Sequence, residues 1–213
     1  MGFSHFLIQA TIRYDDEAKI VLWRFIMTTQ TIPRATIDDL YRVEGKAELI
    51  GGRIVKYMAS GLLPSQCAFN IAVSLRVHSK AIQKVVICGD GLGYAIPELP
   101  SGRESFSPDA SYYDGPLPTN RMRFIDGPPT LAVEVRSEND YGRAAEIDME
   151  EKREDYFAAG TLVIWDVDPV AETISVYRHD APTTPVVFRR GEIADAEPAV
   201  PGWRMAVDEV FEG

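Results

Sequence analysis

Two acidic residues lie in short apolar runs that otherwise predict buried strands. Asp109 lies within residues 107–113, and Glu134 lies within the β-branched run at 131–135. A carboxylate on an interior strand is costly to bury unless it is paired, protonated or bound to a cation. Two such acids on neighbouring strands therefore indicate a divalent metal site. A single buried salt bridge, or an edge strand that faces water, is the alternative interpretation for two isolated acids.

A lysine on a predicted helix is the third candidate for chemistry. The sequence predicts a helix over residues 143–159 that ends at Gly160. Lys152 shares the apolar stripe of this helix with Tyr156, four residues later. A lysine on such a stripe is expected to point either to the partly covered edge of the core or into a cleft. The alternative is a surface pair with Asp148 worth about 0.2–0.5 kcal/mol.

The elements that must position these residues follow from turn and cap signals. Thr36 is predicted to cap a helix, and Gly51-Gly52 to turn a β-hairpin. Ser65 is predicted to cap a second helix, whose exposed side carries the best basic strip of the chain, at Arg76, Lys80 and Lys84. Further strands are predicted at 84–88, 92–96, 107–113, 130–136, 161–167, 173–178 and 185–190. This order predicts an α+β fold with a mixed sheet.

The first 26 residues differ from the rest of the chain in their sequence pattern. They contain a strand-like run at 20–26, and they lack the features of a signal peptide. At Met27 the sequence changes to a polar lead into the first predicted helix. We therefore expect residues 1–26 to be an N-terminal extension outside the native domain, residues 27–213 to form one domain, and Met27 to be the natural start.

Composition limits the classes of function. The chain has 213 residues, of which 46% are hydrophobic and 25% charged, as in ordinary globular proteins. No apolar run approaches the roughly 20 residues of a membrane helix, which predicts a cytoplasmic protein without a membrane partner. The net charge of −10 argues against a long electrostatic footprint on nucleic acid, but it leaves a local basic groove open. The two cysteines have no paired spacing, which predicts a reducing compartment.

Several phrases along the chain resemble a known family. They are Glu48-Leu49-Ile50-Gly51-Gly52-Arg53-Ile54, Pro108-Asp109-Ala110, Pro128-Pro129-x-Leu131-Ala132-Val133-Glu134-Val135 and Lys152-x-x-x-Tyr156-x-x-Ala159-Gly160. Their order and spacing, from about Asp38 to Val210, resemble the Uma-two family of the PD-(D/E)xK nuclease superfamily. The resemblance implies a restriction-endonuclease-like fold, in which a mixed β-sheet core is flanked by helices in a single domain.

The resemblance also implies a role for each candidate residue. Asp109 matches the acid of the Pro-Asp half-motif, and Glu134 matches the acid of the (D/E)xK half-motif. The superfamily's usual lysine falls at position 136, which is Arg136 here. Either cation could serve, because Arg136 follows Glu134 by two residues along the strand. The resemblance favours Lys152 of the following helix as the catalytic cation. Glu48 matches an early acid that serves as a supporting metal ligand or as an acid/base partner. The expected cofactor is Mg²⁺, with Mn²⁺ as a substitute.

The expected function is that of a metal-dependent endonuclease that hydrolyses phosphodiester bonds of DNA. Nucleic acid is the expected partner, and a homodimer is left open. The acidic net charge and a missing histidine favour an alternative, a non-catalytic binding or assembly module that retains the fold. The helix predicted from Pro64 lacks the histidine that relatives carry near its start, and Glu138 replaces a usual proline. A glycosidase-like carboxylate pair ranks last, because it explains neither Lys152 nor the Pro-Asp phrase.

Overall fold

The computed structural model describes residues 33–81 and 86–212, together with the dipeptides Phe6–Leu7 and Thr28–Thr29. The chain divides into two compact units, Met1–Arg34 and Ala35–Gly213. In the first unit, β1 (Phe6–Leu7) pairs antiparallel with β2 (Thr28–Thr29). The role expected for residues 1–26 stays a prediction, and the strand expected at 20–26 lies outside the described residues.

The second unit contains four described helices and the remaining strands. The helices are α1 (Ile37–Leu40), α2 (Leu62–His78), α3 (Arg143–Ala159) and α4 (Val207–Val210), with a 3₁₀ turn at Ser79–Ala81. The strands are β3 (Ala47–Ile50), β4 (Arg53–Lys56), β5 (Val86–Gly89), β6 (Tyr94–Ala95), β7 (Ser105–Phe106), β8 (Ala110–Tyr113), β9 (Ile125–Asp126), β10 (Leu131–Val135), β11 (Val163–Asp168), β12 (Thr173–Arg178), β13 (Ala181–Arg189), β14 (Ile193–Asp195) and β15 (Arg204–Ala206). No helix of the described residues is long and apolar enough to span a membrane.

A six-stranded mixed sheet forms the centre of this unit. Its order is β13-β12-β11-β10-β8-β5. Strands β10 and β11 are parallel, and the other neighbours are antiparallel. Helix α3 connects the two parallel strands, as a parallel pair requires a crossover of this kind. The mixed sheet with flanking helices confirms the predicted α+β class.

The alternation of side chains along β10 divides the core between the two faces of the sheet. Leu131, Val133 and Val135 are buried in the cluster that contains α2. Ala132 faces the other way, into a cluster with Tyr156 of α3. Because successive strand residues point to opposite faces, the residue between the two valines also points toward α3. That residue is the acid at position 134.

The predicted boundaries hold for some elements and fail for others. The Thr36 cap, the Gly51-Gly52 hairpin and the end of α3 at Gly160 are confirmed. Ser65 is not the cap of α2, because its N–H already donates to the Gly61 carbonyl at 3.1 Å inside the helix. Proline is tolerated in a first helical turn, where an N–H needs no helical partner, so Pro64 does not stop the helix from beginning earlier, at Leu62.

The strand predicted over residues 107–113 is also interrupted. Residues 107–109 form a break between β7 and β8, and Asp109 lies in a bend directly before Ala110. Pro108 explains the break, because it has no N–H to donate to a strand ladder. Asp109 therefore occupies the end of a strand rather than its interior.

Strand β13 is longer than predicted and forms an outer edge of the sheet. It contains Pro182 and Pro185, and most of its side chains are exposed. The pairing of β12 with β13 shifts register between Val176 and Arg178. Proline is confined to edge strands and to such irregularities because it cannot donate to the ladder.

Candidate active site

Asp109 and Glu134 lie next to each other at one end of the β8–β10 pair. Ala110 is opposite Val133 in this antiparallel ladder. One step further, the Asp109 N–H donates to the Val133 carbonyl at 3.0 Å. The Val135 N–H donates to Asp109 Oδ2 at 2.8 Å, so the carboxylate itself adds a rung to the ladder. This bond fixes Asp109 opposite Glu134.

Glu134 points to the α3 face of the sheet, as the alternation along β10 requires. The Tyr156 hydroxyl donates to Glu134 Oε1 at 2.6 Å. The ring of Tyr156 is buried and stacks on Phe106, with ring centroids 4.0 Å apart. The Glu134 side chain keeps 19% of its surface exposed, so it is held by Tyr156 without being fully sealed from solvent.

Lys152 joins acids from two separate sheets. Its Nζ lies 2.9 Å from Glu134 Oε1 and 3.3 Å from Glu48 Oε1. Lys152 thus contacts two buried or partly buried acids instead of Asp148 of its own helix. The spacing to Tyr156, one turn later on α3, directs both side chains toward Glu134.

Glu48 is fully buried in β3 and is bonded through both carboxylate oxygens. The Ser107 N–H donates to Oε1 at 2.9 Å, and the Tyr57 hydroxyl donates to Oε2 at 2.9 Å. The Arg103 guanidinium also donates to Oε2. Burial pushes the Glu48 pKa upward, but the cations of Lys152 and Arg103 and these hydrogen bonds outweigh it, so the pKa lies below its usual value. Glu48 is therefore a fixed negative charge.

Glu134 differs from Glu48 in its electrostatics. Burial raises the Glu134 pKa, and the negative charges of Asp109 and Glu48 raise it further, against the opposing effect of Lys152 and Lys46. Burial and like charges thus make the charged form of Glu134 less favourable than that of an ordinary glutamate. Coordination of a cation would stabilise its charged form.

The lysine and the tyrosines of the site keep their protons. Burial lowers the Lys152 pKa, but Glu134 and Glu48 more than offset this, so the net pKa is raised and the ammonium stays charged. Burial and the Glu48 charge raise the Tyr57 pKa to about 12. Burial and the Glu134 charge raise the Tyr156 pKa well above its usual value. Both hydroxyls therefore act as hydrogen-bond donors.

Lys46 is a member of the site that the sequence analysis did not identify. Its Nζ lies 2.5 Å from Asp109 Oδ1 and 2.9 Å from Asp90 Oδ1. Burial opposes the charge of Lys46, but Asp109 and Glu134 raise its pKa above the usual value. A weak signal was present, because Lys46 comes directly before β3 and precedes Glu48 by two residues, the spacing at which side chains share a face when a strand continues.

Arg103 is a second residue that sequence reasoning missed. It is buried, and its Nε donates to Asp155 Oδ2 at 2.7 Å while it also bonds Glu48. It therefore ties β3 to α3, two elements that are far apart in the chain. No local pattern around Arg103 indicates these contacts, which depend on the tertiary fold.

Arg136, the alternative cation, is engaged elsewhere. Its Nε lies 2.9 Å from Asp166 Oδ1, and its second amino group lies 2.9 Å from Asp166 Oδ2. It also pairs with Glu146 of α3. Arg153 shares Asp166 at 3.1 Å. Of the two cations considered from the sequence, Lys152 is the one that forms an ion pair with Glu134.

The donor chemistry of the site fits a hard divalent cation. Asp109 and Glu134 offer carboxylate oxygens on side chains that are 13% and 19% exposed. Magnesium prefers oxygen ligands, keeps several waters and binds proteins through one or two carboxylates. In the part of the chain that the structure describes, no group of three or more His, Cys, Asp and Glu side chains is arranged to hold a metal ion. The fit therefore rests on this pair and on bound water.

Comparisons with known proteins agree with the fold. The profile of a family named Uma2, described as "Putative restriction endonuclease", matches residues 36–208. The chain is also similar to the crystal structure of "a putative nuclease belonging to DUF820 from Anabaena variabilis ATCC 29413". The TM-score is 0.64 at 17% sequence identity, and the match covers 83% of this chain and 97% of that chain. No curated protein matches the chain.

Proposed function

This chain belongs to the Uma2 family, and we propose that it is a metal-dependent endonuclease that hydrolyses phosphodiester bonds of DNA. The observation that carries this proposal is the Lys152 ammonium, which contacts Glu134 and Glu48 beside Asp109. A carboxylate pair with an adjacent ammonium suits phosphoryl chemistry, in which negative charge must be stabilised at the reacting oxygens. Fold alone does not fix function, so the site carries the proposal.

Asp109 and Glu134 would hold Mg²⁺, or Mn²⁺ in its place. When bound, the metal offsets charge on the phosphoryl oxygens and lowers the pKa of the attacking water. The Lys46 ammonium lies against Asp109 Oδ1 and balances its charge. The partly exposed face of Glu134 leaves access for substrate and water.

Lys152 orients the attacking water and stabilises negative charge on the phosphate. Its raised pKa keeps it protonated through this work. Glu48 is buried and already accepts bonds from Ser107, Tyr57 and Arg103. These bonds favour a supporting role for Glu48, as the fixed charge that holds Lys152 in position, over direct ligation of the metal.

The test is a cleavage assay with the purified full chain. Supercoiled DNA, linear duplex, single-stranded DNA and RNA are incubated with Mg²⁺, Mn²⁺ or EDTA. We expect cleavage of DNA that needs metal and is lost in Glu134→Gln, because the change removes one ligand charge. Glu150→Gln is the matched control on the exposed side of α3, and it should cleave like the wild type.

Two results would oppose the proposal. Cleavage that persists in EDTA or in Glu134→Gln would show that the nuclease activity does not come from this site. Absence of cleavage on every substrate, together with retained binding of nucleic acid, would support the non-catalytic binding module instead.

A further inference from the structure

A groove of about 580 Å³ lies beside the candidate active site, with Asp109 in its lining. One wall is formed by α2 and the turn after it, and the other wall includes Gly89 and Asp90 at the end of β5. The volume is within the range of roughly 300–1,000 Å³ typical of ligand pockets. The groove is thus large enough to take a base or a sugar–phosphate unit, and it reaches Asp109 of the carboxylate pair.

The α2 wall carries an exposed apolar stripe. Phe69 is 67% exposed, Val73 is 44% exposed and Val77 is 61% exposed. Their spacing of four residues puts them on one side of the helix. The opposite side of α2 buries Ile71 and Leu75 in the core of the sheet. The exposed stripe therefore has no part in holding α2 on the sheet.

Cations outnumber acids by one around the groove, with Lys46, Arg76 and Lys80 against Asp90 and Asp109. Its two acids, Asp90 and Asp109, share the Lys46 ammonium. The side chains of its two exposed cations, Arg76 and Lys80, form no ion pair or hydrogen bond with another residue of the described ranges. This local excess stands out in a chain whose net charge is −10, and it is complementary to a phosphate backbone.

We propose that this groove binds a single-stranded segment of nucleic acid and leads it to Asp109. The inference rests on the proposed function for the position of the scissile bond. Arg76 and Lys80 contact phosphates, Phe69 stacks on a base, and the two valines contact the faces of neighbouring bases. A duplex keeps its bases stacked inside, so it has no use for an apolar stripe beside the cations. An unpaired strand presents phosphates and base faces together.

The test is direct binding in EDTA, where cleavage does not interfere. A fluorescein-labelled oligothymidine of about twelve nucleotides, within the range of known single-strand sites, is titrated with the full-length protein at several salt concentrations. A duplex of the same length is titrated in parallel. Fluorescence anisotropy should give tighter binding of the single strand.

Two variants test the two halves of the proposal. Arg76→Gln with Lys80→Gln should reduce the slope of log K against log salt by about 1.4, because each lost phosphate contact on a single strand contributes about 0.7. Phe69→Ala should weaken single-strand binding about 5- to 150-fold, the range for loss of one base–aromatic stack. All three side chains are exposed, so the melting temperature should stay close to that of the wild type.

Matched controls separate these contacts from general effects. Arg53→Gln with Arg189→Gln makes the same change in net charge at exposed positions outside the groove, and it should keep the wild-type salt slope. Val170→Ala removes an exposed apolar side chain in a distant turn, and it should bind the single strand like the wild type.

The outcomes distinguish this inference from the proposed function. A protein that cleaves DNA, while the groove variants bind like the wild type, overturns the groove and leaves the nuclease intact. Binding losses as predicted in a protein that never cleaves support the groove and overturn the nuclease. An equal loss on the duplex overturns the preference for a single strand. If Phe69→Ala converts a dimer to a monomer without weakening binding, the stripe is a self-association surface and the inference is wrong.

Discussion

Replacing Lys152 with methionine tests the central contact of the site. The change keeps the unbranched stem and removes the ammonium that lies 2.9 Å from Glu134 and 3.3 Å from Glu48. Glu48 keeps Arg103, but Glu134 keeps only the Tyr156 hydroxyl as a direct side-chain partner among the described residues. Breaking a buried pair by removing one partner costs about 3–5 kcal/mol. For a chain of this size, that corresponds to a decrease in Tm of about 6–20 °C.

The decrease should depend on pH in the absence of metal. Burial and the neighbouring charges of Asp109 and Glu48 already raise the Glu134 pKa, and loss of Lys152 raises it further. As the pH rises above the unfolded-state pKa, the unfolded chain releases this proton before the folded chain does. The folded state then binds more protons, so its stability falls with rising pH. The deficit of Lys152→Met should therefore be larger at pH 8 than at pH 5.

Thermal unfolding in EDTA at the two pH values measures this effect. Lys80→Met removes an exposed lysine without a partner in the described residues, and it should unfold like the wild type. Cleavage by Lys152→Met, assayed where the variant is folded, should fall by about 10²–10³, the usual loss for one stabilising group. An unchanged Tm, or a deficit that is the same at both pH values, would refute the reasoning about Glu134.

Three further predictions concern the rest of the site and the N-terminus. Arg136→Met should lower the Tm, because Asp166 loses its bidentate partner. The cleavage rate of the folded variant should stay near that of the wild type. If Arg136→Met loses cleavage while Lys152→Met keeps it, the catalytic role belongs to position 136. Mg²⁺ or Mn²⁺ at ten times its Kd should raise the Tm by about 3–6 °C, because only the folded state presents the acid pair. An unchanged Tm, or an equal increase in Glu134→Gln, would oppose the metal site. A chain that begins at Met27 should unfold at the same temperature as the full chain, and a decrease of many degrees would show that residues 1–26 belong to the fold.

The parts of the fold that the sequence predicts best depend on local signals. Helix α3 has the expected bounds because its apolar stripe and Gly160 agree, and Gly160 adopts the left-handed φ of 110° that ends the helix. The same spacing predicts the inward direction of Lys152. The alternation along β10 likewise explains why Glu134 faces α3 and not the apolar cluster around α2. Local periodicity thus orients two of the four candidate residues.

The remaining contacts depend on distant parts of the chain. The Arg103–Glu48 pair spans 55 residues and the Lys46–Asp109 pair spans 63. A pattern within a window of ten or twenty residues carries no information about such pairs. Sequence reasoning also predicts an acid inside a strand at Asp109, whereas Pro108 ends the ladder and leaves this acid at a bend. The cations that balance the acids were therefore harder to predict than the acids themselves.

The prolines of β13 have a consequence for association between molecules. An outermost strand offers a row of unpaired N–H and C=O groups, which is a template for pairing with a strand of another chain. Pro182 and Pro185 remove two donors from β13, and the irregularity between Val176 and Arg178 distorts the pairing beside them. A fibril requires an uninterrupted ladder of backbone hydrogen bonds between neighbouring chains. This edge of the sheet is therefore a poor template for pairing with strands of other molecules, which opposes aggregation.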